Sequence, residues 1–173
     1  NEMLAHSYSV IHNLPTTGLR FFTAYGPWGR PDMALFIFTK AILENKPLQI
    51  FNHGNHKRDF TYIDDIVEGT ILASNRLAKA DEKWNDNYSS SFAPWRIYNV
   101  AKGDSIPLMR FVENIERVLN KKTEVEFLPL QPGDVPETHA DISLLSKDTG
   151  YLPNINVEEG VEKFISWYLD FYD

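Results

Sequence analysis

The chain contains no cysteine, which excludes disulfide staples and thiolate-bound metal and fits a reducing compartment. It has no long apolar run either. The longest, at residues 33–38, is far below the ~20 residues of a membrane-spanning helix, and no leader-like pattern opens the sequence. Lys/Arg clusters are also missing. With a formal net charge of −7 and a pI near 5.2, the surface repels phosphate backbones and anionic lipid, so neither nucleic acid nor membrane is an expected partner. There is no G-x-G-x-x-G turn and no Walker lysine. No Ser-His-Asp or Cys-His arrangement is assignable, so hydrolase chemistry has no support.

What is abundant is apolar and aromatic. Hydrophobic residues make up 43% of 173 residues, with 11 Phe, 8 Tyr and 4 Trp, enough to bury a single-domain core and to exclude disorder over most of the length. Helical spacing of Leu4, Tyr8 and Ile11 predicts a helix over residues 1–13, closed by Pro15. A strand follows at 17–23 and a helix at 33–45. Segments 48–51 and 58–62 read as a hairpin around a five-residue loop. Thr61 with Asp64 reads as a capping box for a helix whose face is Ile63, Ile66, Val67, Thr70 and Ile71. Residues 81–94 read as an exposed loop and 95–101 as a strand. An amphipathic helix runs from Leu108 to Leu119 after Asp104 or Ser105 as N-cap. A strand at 124–128 and a last helix bearing Val161, Phe164, Ile165, Tyr168 and Leu169 complete the pattern. The class is α/β with a mixed or partial sheet.

Candidate chemistry is sparse. His53 and His56 share a turn, but no third ligand stands at metal spacing, so a solvated loop and no metal site are expected. His6 and His12 read as surface residues. Asp64 and Asp65 point about 100° apart on a helix and cannot share a proton; they read as negative charge at a helix N-terminus. Gly26 and Gly29 precede a helix, but Pro27 and Pro31 remove two N–H donors a phosphate loop needs. Arg58 opens a strand, and spacing alone leaves open whether it pairs with Asp59, stays exposed or meets a ligand.

LRFFTAYGPWGRPDMALF (19–36), KRDFTYIDDIVEG (57–69), RIYNVA (96–101) and QPGDVPETHAD (131–141) together resemble the UDP-glucuronate 4-epimerases, extended short-chain dehydrogenase/reductases that act on nucleotide sugars. The resemblance runs over essentially the whole chain. It implies that residues 1–173 are the C-terminal, substrate-binding half of such an enzyme: the last Rossmann strands plus a small mixed α/β domain, with the Rossmann core incomplete. The glycine-rich NAD loop and a catalytic Tyr-x-x-x-Lys are then expected upstream of residue 1. The implied reaction is oxidation and re-reduction at C4 of UDP-glucuronate with NAD, in a cytoplasmic homodimer serving polysaccharide biosynthesis, while this chain alone neither turns over nor binds NAD.

By the same resemblance Arg30 grips the uronate carboxylate and Arg58 the diphosphate. Thr23 faces the sugar, Gln49, Ile50 and Phe51 line the uracil, and Asp134 reaches the ribose. Tyr25, Gly26 and Pro27 lie near the nicotinamide. Gln131 stands where many UDP-galactose epimerases carry a second phosphate-binding Arg. The rival readings are a 4,6-dehydratase or UDP-xylose synthase of the same superfamily, or a non-catalytic nucleotide-sugar-binding domain.

Overall fold

The computed structural model describes residues 1–84 and 88–172. Helix α1 (Glu2–His12) ends at Asn13, held in the left-handed region (φ 49), a C-cap conformation that Asn tolerates. Strand β1 (Thr16–Phe21) runs parallel to β5 (Trp95–Val100). At Phe22 the chain leaves that pair, and β2 (Thr23–Tyr25) joins β4 (Lys57–Tyr62) in parallel. The predicted first strand is therefore split between two sheets, which sets Thr23 at the start of the second.

Helix α2 (Ala34–Leu43) leads into β3 (Leu48–Ile50), which pairs in parallel with β7 (Val125–Phe127). The expected hairpin is not formed. Asn52 and His53 both take positive φ within a 3₁₀ turn, Asn52–Gly54, and send the chain into another sheet, where β4 lies between β2 and the antiparallel β6 (Ser105–Pro107). Helix α4 (Leu108–Leu119) follows β6 directly with Pro107 as its N-cap, so neither Asp104 nor Ser105 caps it. Helices α5 (Ser143–Thr149), which the sequence reading missed, and α6 (Val157–Tyr172) close the chain.

Successive residues of a strand face opposite sides, and β4 uses both. Phe60 and Tyr62 pack with Tyr25, Phe111 and Phe164 in the main core under α2, α4 and α6. Asp59 and Thr61 face away from them. Asp59 is fully buried and accepts the backbone N–H groups of Lys102, Gly103 and Ala140 at 3.0, 3.1 and 3.1 Å. Burial pushes its pKa above the ordinary carboxylate value, against the pull of those three donors. Thr61 gives its hydroxyl to Asp59 and so caps nothing; Tyr62 is the N-cap of α3 (Ile63–Ser74).

The buried face of α3 is Asp65, Ile66, Gly69 and Ala73, while Val67 and Ile71 are exposed, a rotation from the expected stripe. Gly69 explains it: a Cβ there would stand 2.7 Å from Val100 Cγ1, so α3 approaches β5 closely where it carries no side chain. Asp64 and Asp65 stand in the first turn of α3 as expected, and Asp65 is in addition buried, accepting the N–H groups of Asn154 and Ile155 at 3.1 Å each. The region expected as an exposed loop buries Ser90, Ser91 and Ala93; residues 85–87 of that prediction lie outside the described residues. Nor is His6 simply a surface residue. It sits 2.7 Å from Ser91 Oγ and packs edge-on against Trp95 and Phe92. Among the described residues no helix is long and apolar enough to cross a membrane.

Candidate functional site

A cavity of about 740 Å³ opens where three elements diverge. One wall is apolar, from Ile37, Phe38 and Ala41 of α2 with Leu108 of α4; the floor is Leu48, Gln49 and Ile50 of β3, continued by Phe51. The opposite end is polar. His56, Arg58 and Asp134 meet there, and Thr23 and Phe60 border it. A volume of this size lined by apolar surface with a few convergent polar groups is the usual form of a small-molecule site.

Strand parity brings Arg58 to this end: residues 56, 58 and 60 share one side of the β4 segment. A turn brings Asp134. In Gln131-Pro-Gly-Asp the Asp134 N–H bonds Gln131 O at 3.2 Å and Gly133 has φ 84, the positive φ a type II turn requires after proline. The chain then runs beside β4, with Lys57 N–H on Pro136 O at 2.9 Å and Thr138 N–H on Lys57 O at 3.1 Å. Arg58 Nη2 consequently donates to Asp134 Oδ1 at 2.9 Å, and Nη1 to the Lys57 and Pro136 carbonyls at 2.9 and 3.1 Å. Its partner is Asp134 and not Asp59, which is committed to the other face.

Of the expected nucleotide-site residues, Thr23, Gln49, Ile50, Phe51, Arg58 and Asp134 all border this one cavity. Gln49 donates to Glu126 Oε2 across β3 and β7 at 3.1 Å, and Ile50 is buried in its floor. Among the other lining residues, the charged or imidazole side chains with no expected role are Lys46, Glu126 and His56. Lys46 directly follows the predicted helix end. His56 was read as part of a solvated loop, yet its side chain is 5% exposed, with Nε2 3.1 Å from Asp134 Oδ2. Its place two residues before Arg58 was the available signal.

The other expected residues lie on the loop after β2. Gly26 takes φ 140, where a Cβ would stand 2.7 Å from Ile63 Cγ2. Two turns follow, closed by Gly29 N–H on Gly26 O and Met33 N–H on Arg30 O at 3.2 and 3.1 Å. Within the first of them Trp28 adopts φ 62, costly for a bulky side chain, and its ring packs on Trp167 and Phe171 of α6 at 5.2 and 5.0 Å. Arg30 is not in the large cavity. It borders a small neighbouring one of about 30 Å³ shared with Thr23, Gly26 and Gly29, and its guanidinium, 76% exposed, forks onto both carboxylate oxygens of Asp32. That bond holds the Asp32 carboxyl below its ordinary pKa.

Tyr25 turns its ring into the core against Phe60, Tyr62 and Phe111, and burial raises its phenol pKa. With Gly26 and Pro27 it also borders a shallow depression of about 400 Å³ beside Tyr62, Ile63 and Asp64. Among the described residues no group of three or more His, Cys, Asp or Glu is placed to hold a metal.

Comparison with known proteins was made against this geometry. The model of the NAD dependent epimerase/dehydratase family matches residues 1–109. Protein CapI of Staphylococcus aureus is 49% identical over 175 residues, spanning 99% of this chain and 52% of its own length. A probable UDP-glucuronate 4-epimerase of Rhizobium meliloti is 47% identical over 174 residues, 96% of this chain and 50% of its own. A crystal structure of UDP-glucuronic acid 4-epimerase from Bacillus cereus, in complex with UDP-glucuronic acid and NAD, superposes with a TM-score of 0.84 at 33% identity, over 99% of this chain and 50% of that one. The chain thus spans about half the length of the relatives it matches.

Proposed function

The chain belongs to the NAD dependent epimerase/dehydratase family, and from that premise we propose that it forms the nucleotide-sugar-binding half of a UDP-glucuronate 4-epimerase. The observation that carries this reading is the convergence of Thr23, Gln49, Ile50, Phe51, Arg58 and Asp134 on one cavity of about 740 Å³, in a chain alike over its whole length to an epimerase holding UDP-glucuronic acid. In this reading Arg58, held rigid by three acceptors, presents its remaining N–H groups to the diphosphate. Uracil lies over β3 between Gln49 and Phe51, and Asp134 accepts from the ribose. Thr23, bordering both cavities, faces the sugar ring.

Arg30 lies across the small cavity from that end. A guanidinium that grips a carboxylate through two N–H bonds keeps its charge in place. For a 4-keto uronate, a β-keto acid, this opposes loss of CO₂. Asp32 now occupies the same fork, so substrate carboxylate exchanges with it.

NAD, which in this reaction takes up and returns the C4 hydride, is not held by this chain's own residues. Pro27 and Pro31 lack the N–H groups a pyrophosphate cradle needs, and Tyr25, Gly26 and Pro27 offer only one shallow wall. We assign the cofactor cradle, the Tyr-x-x-x-Lys pair and the dimer contacts to the part of the relatives' length that this chain does not span. Calorimetric titration tests the assignment. UDP-glucuronate and UDP-glucose should both bind this chain, NAD should not, and a coupled assay should detect no UDP-galacturonate. Failure of both UDP-sugars to bind, or turnover by this chain alone, overturns it.

A further inference from the structure

The nucleotide reading leaves one buried polar atom of the cavity unexplained. His56 Nε2 is buried and has no hydrogen-bond partner, although Asp134 Oδ2 lies 3.1 Å away: the two are close without meeting hydrogen-bond geometry. Asp134 Oδ1, by contrast, is fully engaged, accepting from Arg58 Nη2 at 2.9 Å and from the Val135 N–H at 2.8 Å. The polar end of the cavity therefore presents an imidazole nitrogen and a carboxylate oxygen side by side, each with capacity left over. A bare Nε2 lone pair would repel that carboxylate, so the tautomer that fits is Nε2–H.

A donor and an acceptor so placed select the group that meets both. A phosphate oxygen, acceptor only, satisfies the imidazole but sets negative charge against Asp134. An ammonium hydrogen satisfies the carboxylate but not Nε2–H, and an amide meets both only by presenting two separate atoms in register. A hydroxyl does both at one atom, donating to Oδ2 while accepting from Nε2–H. Building on the proposed nucleotide reading, we propose that His56 is a specificity-determining residue that, with Asp134, reads one ribose hydroxyl and so distinguishes ribonucleotides from deoxyribonucleotides in this cavity. A ligand lacking that hydroxyl leaves both buried groups unpaired, which is how hydrogen-bonding sites reject deoxy analogues.

The probes are UDP, 2′-deoxy-UDP and 3′-deoxy-UDP, titrated calorimetrically into this chain and its His56→Leu and His56→Gln variants. The wild type should bind UDP about 10- to 100-fold more tightly than one of the two deoxy analogues. His56→Leu should bring that ratio below about threefold, and His56→Gln, which keeps a donor, should restore part of it. The ratio is independent of the folded fraction, so a poorly folding variant still reports. Should the wild type bind UDP and both deoxy analogues alike, or should His56→Leu keep the wild-type ratio, the hydroxyl reading is overturned while the nucleotide site stands. Absence of any UDP binding by the wild type overturns both.

Discussion

The two ends of the proposed site are built in opposite ways. At the nucleotide end the polar groups are enclosed and the cation is committed: Arg58 is held by three acceptors, Asp134 among them, with His56 close beside, on a strand whose other face is tied down by Asp59. At the sugar end Arg30 stands in solvent, paired with a neighbour two residues away. The contrast teaches where preorganisation resides. The nucleotide end has already lost its side-chain freedom, so binding there loses little more. The sugar end has a fixed backbone, set by two glycines, two prolines and the Trp28 stack, but a replaceable counter-ion.

The largest expected effect breaks the nucleotide end. Arg58→Leu removes the diphosphate's cation and leaves the Asp134 carboxylate facing the ligand, which should cost on the order of 2–5 kcal/mol. At ~1.4 kcal/mol per tenfold, that is a loss of roughly 30- to several-thousand-fold in affinity, equal for UDP-glucuronate and UDP-glucose. A variant that binds within threefold of wild type by calorimetry removes Arg58 from the site.

A smaller effect sharpens the backbone side of the contrast. Trp28→Ala loses stacking on Trp167 and Phe171 but keeps φ 62, and should lower stability by about 1–2 kcal/mol. Trp28→Gly loses the same contacts but takes that φ without the steric penalty. Urea denaturation should therefore find the Gly variant at least as stable as the Ala variant, the reverse of their usual order. An Ala variant clearly the more stable means that the loop relaxes once the ring is gone.

The smallest effect concerns Arg30. Exposed ion pairs contribute little to stability, so Arg30→Leu should leave the stability of this chain nearly unchanged. In a longer enzyme with the hydride-transfer machinery it should lower kcat/KM for UDP-glucuronate far more than for UDP-glucose. Because Arg30 depresses the Asp32 pKa, whatever the pair contributes is fully present above the ordinary carboxylate range and disappears as pH falls through the depressed value. Trp28 emission should accordingly be flat from about pH 8 to 5 and change only below about pH 4. A change centred near neutrality points to a different group.

Much of this was legible beforehand because it is local or periodic. The apolar stripe of α4, the break at Pro15 and the strand at 95–100 follow from spacing or turn chemistry. The resemblance assigned residues that share one cavity, Arg58 and Asp134 among them. What misled was anything set by a partner far along the chain. Asp65 is the helix-start charge it reads as, but its burial under Asn154 and Ile155, whose N–H groups it accepts, has no local signal. His56 reads as loop until the turn at 131–134 closes over it.

The sequence by itself determined most of the helices and the longer strands, and which side chains carry charge, since these depend on neighbours within a few residues. Only the tertiary structure decided that β3 and β4 part into different sheets, that α3 buries Gly69 rather than Ile71, and that Arg58 meets Asp134 rather than Asp59. Each of those outcomes turns on how closely two distant backbones approach: a Cβ at position 69 would stand 2.7 Å from Val100, and the Lys57–Pro136 hydrogen bond sets Asp134 beside its cation. Close packing and the need to pair buried polar groups act between segments that no local pattern connects.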